Sequence, residues 1–279
     1  MTTALFVMAV GLLVSGAVAC ALAGRRAVLA NRLGAGVAVA GALPAAAAAA
    51  AVLWGGGAAD LRLPWSVPFG TFHLALDGLS ALFALAIAVV SGLAAVYGAA
   101  YLKHESARRN LGAAWCFYNL LLASMLLVVA ARNGVLFLVA WELMSLASFF
   151  LVMFDHQRRE VRDAGWIYLA SMHLGTALLL GLFVLLGWQE QTMDFDRFTV
   201  PASVVPGGVL FMLALIGFGT KAGFVPMHVW LPEAHPAAPS HVSAVMSGVM
   251  IKTGIYGLLR TLMFLGPPAA WPAWWGWTL

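Results

Sequence analysis

The chain has 279 residues, of which 63% are hydrophobic and 9% are charged. A soluble domain carries about 25% charged residues, so this composition excludes a water-facing globular surface and indicates a protein embedded in a lipid bilayer. The net charge of +4 is held in short clusters between apolar runs. Without a continuous basic face, we expect no nucleic-acid partner.

The apolar runs predict an all-α, polytopic bundle of about eight transmembrane helices, because a span needs roughly 20 apolar residues. The first run has no basic residue before it and arginines after it, which favours a retained helix over a cleaved signal peptide. The predicted spans are residues 4–23, 33–53, 77–101, 111–130, 135–154, 164–187, 207–231 and 239–265.

The first linkers and spans carry mainly packing signals. An alanine tract at residues 45–51 has small side chains that let neighbouring helices approach closely. The loops at residues 54–76 and 188–206 are predicted to be interfacial turns anchored by tryptophan. Asp77, at the start of the third span, is predicted to cap its helix.

The polar breaks between spans differ in charge, and this difference predicts the orientation. Alternate breaks hold either three cations or a single arginine, and by the positive-inside rule the three-cation breaks are cytoplasmic. The amino terminus is therefore predicted to lie outside. The three-cation breaks contain Arg25, Arg26 and Arg32, then Lys103, Arg108 and Arg109, then Arg158, Arg159 and Arg162, whereas the others contain Arg62, Arg132 and Arg197.

The seventh span is predicted to be discontinuous. Gly217, Gly219 and Gly223 precede Pro226, and proline removes a backbone donor and clashes with the preceding helical turn. We expect the interruption between Gly223 and Pro226. Interrupted backbone at membrane depth is tolerated where it is buried in protein or lines a water-filled cavity, so this feature indicates an ion pathway.

Three ionisable side chains lie inside predicted spans, where each charge costs roughly 2.5 to 3.5 kcal/mol. Glu142 lies in the fifth span, Lys221 in the seventh and Lys252 in the eighth. At about 1.5 Å per residue, Glu142 is roughly 10 Å, and each lysine roughly 20 Å, from the end at which its span begins. We predict that Glu142 pairs with Lys221, which leaves Lys252 without an obvious carboxylate partner.

Three histidines extend this set. His173 lies within the sixth span, His228 just past the predicted break and His241 near the start of the eighth span. Eleven residues make about three helical turns, so His241 and Lys252 are predicted to share one face. A stripe of titratable groups beside a broken helix is typical of a proton relay. The predicted proton pathway comprises Glu142, Lys221, Lys252, His173, His228 and His241.

These residues also have structural interpretations that stay open at this point. Glu142 and Lys221 can form a static pair that only fixes helix packing. His173 can be a hydrogen-bonded core residue and His241 an interfacial one, while Glu233 and His235 can be turn residues at the cytoplasmic interface.

Other chemistries leave no trace in the sequence. The two cysteines, Cys20 and Cys116, lie far apart inside apolar segments and indicate neither a disulfide framework nor a metal site. There is no Gly-rich phosphate loop, CxxC pair, nucleophile elbow or bis-histidine spacing for haem or zinc. We therefore expect no cofactor, no metal and no catalytic centre.

A family resemblance rests on three segments: DGLSALFALAIAVVSGLAAVY from Asp77, WELMSLASFFLV from Trp141, and GTKAGFVPMHVWLPEAHPAAPSHVSAVMSGVMIKTGIYGLLR from Gly219. They are similar to the antiporter-like subunits of respiratory complex I and of multisubunit cation/proton antiporters. The last segment most resembles the membrane subunit of group 4 nickel-iron hydrogenases. The resemblance covers roughly residues 70–265.

The resemblance implies roles for three residues. Glu142 matches the family's fifth-helix glutamate, Lys221 the lysine of its broken seventh helix and Lys252 the central lysine of its eighth helix. In that family the first two modulate the central lysine, which passes protons toward an outer channel in step with redox chemistry in neighbouring subunits. The implied partners are other membrane subunits, a peripheral hydrogenase or iron-sulfur arm, and protons or sodium ions, in a bacterial inner (plasma) membrane.

The resemblance also implies a division of the chain. Residues 1–110 hold three N-terminal helices, residues 111–265 a five-helix antiporter-like repeat, and residues 266–279 an outward tail. Family members carry a second, inverted repeat, and we expect this sequence to be truncated before it. The leading expectation is a non-redox, proton-translocating subunit of an oxidoreductase complex. The alternatives are a structural membrane anchor for the catalytic arm and a free-standing cation/proton antiporter.

Overall fold

The computed structural model describes residues 1–65, 70–105, 109–198 and 205–278. Within these ranges the regular structure is helical apart from one two-stranded sheet, which agrees with the predicted fold class. Arg108, residues 66–69 and residues 199–204 of the predicted linkers lie outside the described ranges.

The helices are α1 (Thr2–Ala23), α2 (Ala27–Gly55), α3 (Gly78–Tyr101), α4 (Leu111–Ala130), α5 (Gly134–Val152), α6 (Arg159–Glu190), α7 (Gly207–Ala222), α8 (Leu231–Ala237), α9 (Ser240–Val245), α10 (Ile251–Phe264) and α11 (Ala273–Thr278). A π-helical segment, Met246–Met250, joins α9 to α10. The strands are β1 (Ala59–Leu63) and β2 (Phe72–Leu76). Short 3-10 turns cover Leu102–Glu105, Met153–Asp155, Phe195–Arg197 and Pro268–Ala270.

Seven helical stretches in the described ranges are long and apolar enough to cross a membrane. They correspond to all the predicted spans except the seventh, which is the 16-residue helix α7. Helices α2 and α6 begin earlier than predicted, at Ala27 and Arg159. Arg159 and Arg162 lie in the first turn of α6, and Arg26 is the N-cap of α2; such long side chains reach the interface from a helical backbone.

The predicted interruption of the seventh span is confirmed. Helix α7 ends at Ala222 and is capped by Gly223, whose φ of 79° lies in the left-handed region that glycine adopts without a Cβ clash. The chain becomes helical again only at α8. Trp230 Nε1 donates a hydrogen bond of 2.8 Å to the carbonyl oxygen of Thr220, one of the acceptors freed by the break. In an apolar medium, the backbone polar groups freed by an interrupted helix must form hydrogen bonds within the protein.

Helix α4 forms the centre of the bundle. In its most apolar stretch, 72% of the residues are buried inside the protein, against 33% for α1 and α6. It contacts α1, α2, α3, α5 and α10, whereas α7 packs between α6 and α10. The ionisable residues of α5 and α7 therefore lie on one side of this centre.

Small residues allow α2 to approach its neighbours closely, as predicted. Ala45, Ala48 and Ala49 are fully buried. At Gly34, an added Cβ would overlap the side chain of Trp115 on α4. Trp115 is itself held in place, because its Nε1 donates a hydrogen bond of 2.9 Å to Asn31 Oδ1.

The linker after α2 contains a β-hairpin, so the prediction of simple interfacial turns is wrong for this segment. Strands β1 and β2 pair antiparallel, with Ala59 opposite Leu76. In β1 the residues alternate between apolar and polar with the period of two of a strand, whereas β2 is apolar apart from the buried His73. Isolated bridges continue the pairing from Leu74 to Ala131 and from Asn133 to Asp194. The linkers after α2, α4 and α6 are thus joined.

The bundle has two distinct ends. The hairpin end carries β1, β2 and the linkers after α4 and α6. The basic end carries the linkers after α1, α3 and α5, with Arg25, Arg109 and Arg162. This separation places the single-arginine and three-cation linkers at opposite ends of the molecule.

Candidate functional site

Lys221 lies in the last turn of α7 with 1% of its surface exposed. Its Nζ atom is 3.2 Å from Ser145 Oγ, 3.2 Å from Tyr168 OH and 3.3 Å from Met172 Sδ. These neighbours come from α5 and α6, which pack against α7. All are neutral, so the ammonium is solvated by hydroxyl groups and a thioether.

Aromatic rings complete the enclosure of Lys221. The Nζ atom lies 5.7 Å from the centroid of the Trp141 ring and 5.5 Å from that of Tyr168. Ring faces attract cations at this range. Tyr168 is fixed in turn, because its hydroxyl lies 2.5 Å from Ser148 Oγ and its ring packs edge-on against Trp230.

The predicted ion pair between Glu142 and Lys221 does not form. Glu142 Oε2 lies 3.6 Å from His173 Nε2 on α6 instead. The side chains of Glu142 and His173 are 29% and 52% exposed, although Glu142 Oε1 is buried without a hydrogen-bonding partner among the described residues, whereas Lys221 is buried as a whole. The rotation of α5 decides this: Ser145, one turn beyond Glu142, is the residue that reaches the lysine. Glu142 remains near enough to act on Lys221 electrostatically.

The Glu142–His173 contact joins α5 to α6. His173 Nδ1 lies 3.0 Å from the carbonyl oxygen of Leu169, an acceptor, so Nδ1 carries a hydrogen. The contact is an ion pair only when His173 is protonated. The exposure of His173 is also inconsistent with the core-residue interpretation.

Lys252 lies directly after the π-helical segment, in the first turn of α10. Its Nζ donates a hydrogen bond of 2.6 Å to the carbonyl oxygen of Ser247. A π turn bonds residues five apart and disturbs the regular α-helical pairing of its carbonyls. In the described part of the chain, no carboxylate lies within ion-pair distance of this ammonium. The side chain is half-exposed and lines a cavity of about 130 Å³ with Leu82 and Phe83 of α3.

His241 is enclosed, with 2% of its surface exposed, which is inconsistent with the interfacial interpretation. Its ring centroid lies 5.9 Å from that of Trp115 and 5.6 Å from that of Tyr118. The additional residue in the π turn rotates Lys252 by about 100° relative to a continuous α-helix. The predicted single stripe is therefore split, with His241 buried against α4 and Lys252 at the edge of α3.

Two further histidines line the region between α7 and α9. His228 is half-buried in the break, and its Nδ1 atom is buried without a hydrogen-bonding partner among the described residues. His235 on α8 has Nδ1 3.0 Å from Ser243 Oγ. Burial, together with the charge of Lys252, lowers the pKa of His235. His235, which the sequence analysis assigned to a turn, therefore lies in the electrostatic environment of Lys252.

The candidate residues form two groups. One contains Lys221 with the Glu142–His173 pair beside it, and the other contains Lys252 near His235. Between the groups, Met250 Sδ lies 3.9 Å from Tyr168 OH. A thioether has no exchangeable proton, so this conformation provides no continuous hydrogen-bonded chain of described side chains between the two lysines.

A separate ionic cluster of Asp77, Arg132 and Arg260 lies at the hairpin end. Asp77 caps α3 as predicted, accepting a hydrogen bond of 2.9 Å from Ser80 N. It also accepts hydrogen bonds of 2.6 and 2.8 Å from Arg260 and lies 3.1 Å from Arg132 Nη2. Burial alone raises the pKa of Asp77, but the hydrogen bonds from Arg260 and Ser80 and the two arginine charges hold it well below its usual range.

Sequence reasoning missed Tyr168, Ser145, His235 and Arg260. Ser145 lies three residues after Glu142, the spacing of one helical turn, and this was a usable signal. Tyr168 offered no such signal, since an isolated tyrosine in an apolar span is commonly a packing residue. Among the described residues, no group of three or more His, Cys, Asp or Glu side chains is arranged to hold a metal ion.

Comparison with known protein families gives two matches. The family described as NADH:quinone oxidoreductase/Mrp antiporter, TM, matches residues 131–277, more than half of the chain. The family described as NADH-Ubiquinone oxidoreductase (complex I), chain 5 N-terminus, matches residues 67–110. The first match contains all six predicted pathway residues.

Individual relatives are longer than this chain. Hydrogenase-4 component B of Escherichia coli K12 is 40% identical over 210 residues, which cover 75% of this chain and 31% of that protein. Na(+)/H(+) antiporter subunit A1 of Staphylococcus haemolyticus is 33% identical over 215 residues, covering 75% and 26% respectively. The chain thus spans about a third or less of these curated relatives.

The fold has a counterpart among solved structures. A chain of the Mrp complex from Dietzia sp. DQ12-45-1b superposes with a TM-score of 0.79 at 25% identity, over 95% of this chain and 29% of that one. The similarity therefore includes α1 and α2 as well as the family-matched segments. This chain belongs to the NADH:quinone oxidoreductase/Mrp antiporter family of membrane proteins.

Proposed function

We propose that this chain supplies proton-translocating helices to a membrane subunit of a group 4 hydrogenase or complex I-like oxidoreductase complex. Its role is to couple redox chemistry in partner subunits to ion movement, without a redox centre of its own. The observation that carries the proposal is Lys221, an ammonium buried at the end of an interrupted helix and contacted by neutral groups.

The surroundings of Lys221 suit proton exchange. A lysine fixed in an ion pair loses its partner's attraction when it loses its proton, whereas a lysine held by hydroxyl groups retains those hydrogen bonds as an acceptor. Ser145 and Tyr168 are such groups. An unpaired buried charge is costly in a membrane protein and is typical of an ion route.

The Glu142–His173 pair supports the same role. Both members of this pair are ionisable, so the gain or loss of a proton by either one alters the net charge beside Lys221. Lys252, held by one backbone carbonyl, is the proposed next carrier. The proposed route comprises Glu142, His173, Lys221 and Lys252. His228 and His241 are assigned to its margins, since each has a buried ring nitrogen without a described partner.

The proposal includes partners and location. We assign the chain to a bacterial inner membrane with the basic end in the cytoplasm and the amino terminus outside, in contact with other membrane subunits and a peripheral hydrogenase or iron-sulfur arm. The relatives named above and the multisubunit Mrp assembly support this placement. We further propose that residues 1–110 form an N-terminal unit, residues 111–265 one antiporter-like repeat and residues 266–279 an outward tail.

The decisive experiment is ion pumping by the full complex in inverted membrane vesicles, comparing wild type with Lys221→Ala and Lys252→Ala at matched assembly and redox turnover. We expect pumping to fall by at least tenfold in both variants, since each removes a proton carrier whose replacement cannot titrate. Lys103→Ala, at the basic end, is the matched control and should pump normally. Normal pumping by both the Lys221 and the Lys252 variants would refute the proposal and favour a structural anchor.

A free-standing cation/proton antiporter is the second candidate, and the 33% identity to an Na(+)/H(+) antiporter subunit favours it. The same vesicles distinguish the two. An antiporter exchanges sodium ions for protons when a pH gradient is imposed without a redox substrate, whereas the coupled subunit moves ions only during redox turnover.

A further inference from the structure

A cavity of about 500 Å³ opens at the basic end, between the ends of α1, α4, α5 and α6. Arg25 from the α1–α2 linker, Arg109 before α4 and Arg162 on α6 contribute to one side of it. Phe117, Phe149 and Phe150 contribute an aromatic wall on α4 and α5. None of these residues belongs to the proposed ion route.

The cavity carries an excess of positive charge. Arg109 pairs with Asp155, the one carboxylate within ion-pair distance of the three arginines among the described residues. Arg162 Nη1 donates only to backbone, at 2.9 Å from the carbonyl oxygens of both His156 and Gln157. Arg25 is exposed at the cavity rim. Three guanidinium groups against one carboxylate leave two positive charges uncompensated.

One donor in the cavity also lacks an acceptor. Arg109 Nε is buried and has no hydrogen-bonding partner among the described residues. Neighbouring arginines differ: Arg158 pairs with Glu160, and Arg159 pairs with Asp163. Exposed Arg26 and Arg32 at the same end also have no ion pair among the described residues, so what distinguishes the cavity is the combination of unpaired guanidinium groups with the buried, unsatisfied Arg109 Nε.

The aromatic wall extends from these charges toward the middle of the bundle. Phe117 and Phe150 stack across α4 and α5 with ring centroids 4.4 Å apart, and Phe149 packs edge-on against Phe150 at 5.2 Å. Phe150 is 46% exposed. The site thus combines a cationic rim with an apolar surface on α4 and α5, two helices long and apolar enough to cross a membrane.

We propose that this cavity binds an anionic phospholipid, with its phosphate at Arg25 and Arg162 and an acyl chain along the Phe117–Phe150 wall. Guanidinium groups bind phosphate through paired charge-assisted hydrogen bonds, and basic pockets between transmembrane helices accept anionic headgroups. A free phosphate ion uses the same guanidinium groups but not the apolar wall. The cationic rim and the wall together fit a lipid.

The test uses the purified full complex in detergent, titrated with phosphatidylglycerol, phosphatidylcholine or inorganic phosphate, with thermal stabilisation and retained lipid as readouts. We expect stabilisation by phosphatidylglycerol but not by phosphatidylcholine, and half-saturation shifted about fivefold or more in Arg25→Gln, as the loss of one headgroup cation predicts. Arg26→Gln is the matched control. It removes the same charge from the neighbouring exposed position, which does not line the cavity.

The outcomes separate the possible ligands. A shift confined to Arg25→Gln, together with loss of retained phosphatidylglycerol, supports the lipid site. Equal shifts in Arg25→Gln and Arg26→Gln overturn it, because the effect is then general surface charge. Stabilisation by inorganic phosphate that equals that by phosphatidylglycerol overturns it in favour of a free-anion site. These readouts require no ion pumping, so they are independent of the proposed function.

Discussion

The ionic cluster at the hairpin end contains two arginines but only one carboxylate among the described residues. Arg132 and Arg260 are 5% and 6% exposed, and both contact the carboxylate of Asp77. Ser80 Oγ accepts hydrogen bonds from the two guanidinium groups at 3.1 and 3.0 Å and so serves as a neutral second acceptor. Since the arginines cannot lose their protons, the stability of the cluster depends on the charge of Asp77.

The replacement Asp77→Asn leaves two buried arginines without a counter-charge. The 42% exposure of the Asp77 side chain admits solvent screening, so we expect a loss of about 2 kcal/mol at neutral pH, below the range for fully buried pairs. The folded-state pKa of Asp77 is lowered. The wild-type advantage is therefore complete above the unfolded pKa of about 3.9 and disappears as the pH falls further.

Thermal unfolding of the detergent-solubilised protein at neutral and acidic pH measures this dependence. Asp163→Asn, which alters an exposed pair with Arg159 at the basic end, is the control and should change stability by less than about 0.5 kcal/mol. Equal losses of unfolding free energy in the two variants would contradict the stabilising role of the Asp77 charge. A stability difference between Asp77→Asn and wild type that does not change with pH would also contradict it.

Sequence identified the ionisable residues within the spans better than it identified their partners. Glu142, Lys221 and Lys252 were found because ionisable groups in apolar runs are conspicuous. Their contacts depend on the rotation of each helix about its axis, which an apolar composition on every side leaves unspecified. The Glu142–Lys221 pair was wrong for this reason, and the role of Tyr168 was not predictable at all.

At the scale of elements, run length predicted the spans and glycine with proline predicted the break in α7. The π-helical segment was not predictable, because Met246–Met250 contains no proline and its one glycine is common in regular transmembrane helices. The β-hairpin was overlooked because its strands are short and lie in a linker dominated by turn-forming residues. In each case tertiary contacts determine the local geometry.

Helix packing in α2 provides a paired test. At Gly34 an added Cβ overlaps Trp115, which its hydrogen bond to Asn31 prevents from moving aside, whereas Gly36 has no neighbouring atom within 4 Å of such a Cβ. We expect Gly34→Ala to lower the free energy of unfolding by about 1–3 kcal/mol. Gly36→Ala should be neutral or stabilising by up to about 1 kcal/mol, since alanine favours helix. Thermal unfolding in detergent measures both, and similar effects would exclude the proposed overlap.

At the scale of the molecule, composition predicted a membrane bundle because apolar run length compares directly with bilayer thickness. The orientation remains a prediction from loop charge. Ala58 at the hairpin end and Gln157 at the basic end are both exposed, so each accepts a cysteine in a Cys20→Ser, Cys116→Ser background. A membrane-impermeant maleimide should label Ala58→Cys from the outside and Gln157→Cys only in inverted vesicles. The reverse pattern would invert the proposed topology.

The joined linkers at the hairpin end constrain how the helices are able to tilt. Two backbone hydrogen bonds connect the three linkers at this end. Arg132 N donates to the His73 carbonyl oxygen at 2.9 Å, and Phe195 N donates to the Arg132 carbonyl oxygen at 2.8 Å. Helices α3 and α5 both begin at these connected linkers. Because their first residues are held together, a change in the angle between the two helices separates them only slightly at the hairpin end. The separation increases with distance along the helices and is largest at the basic end.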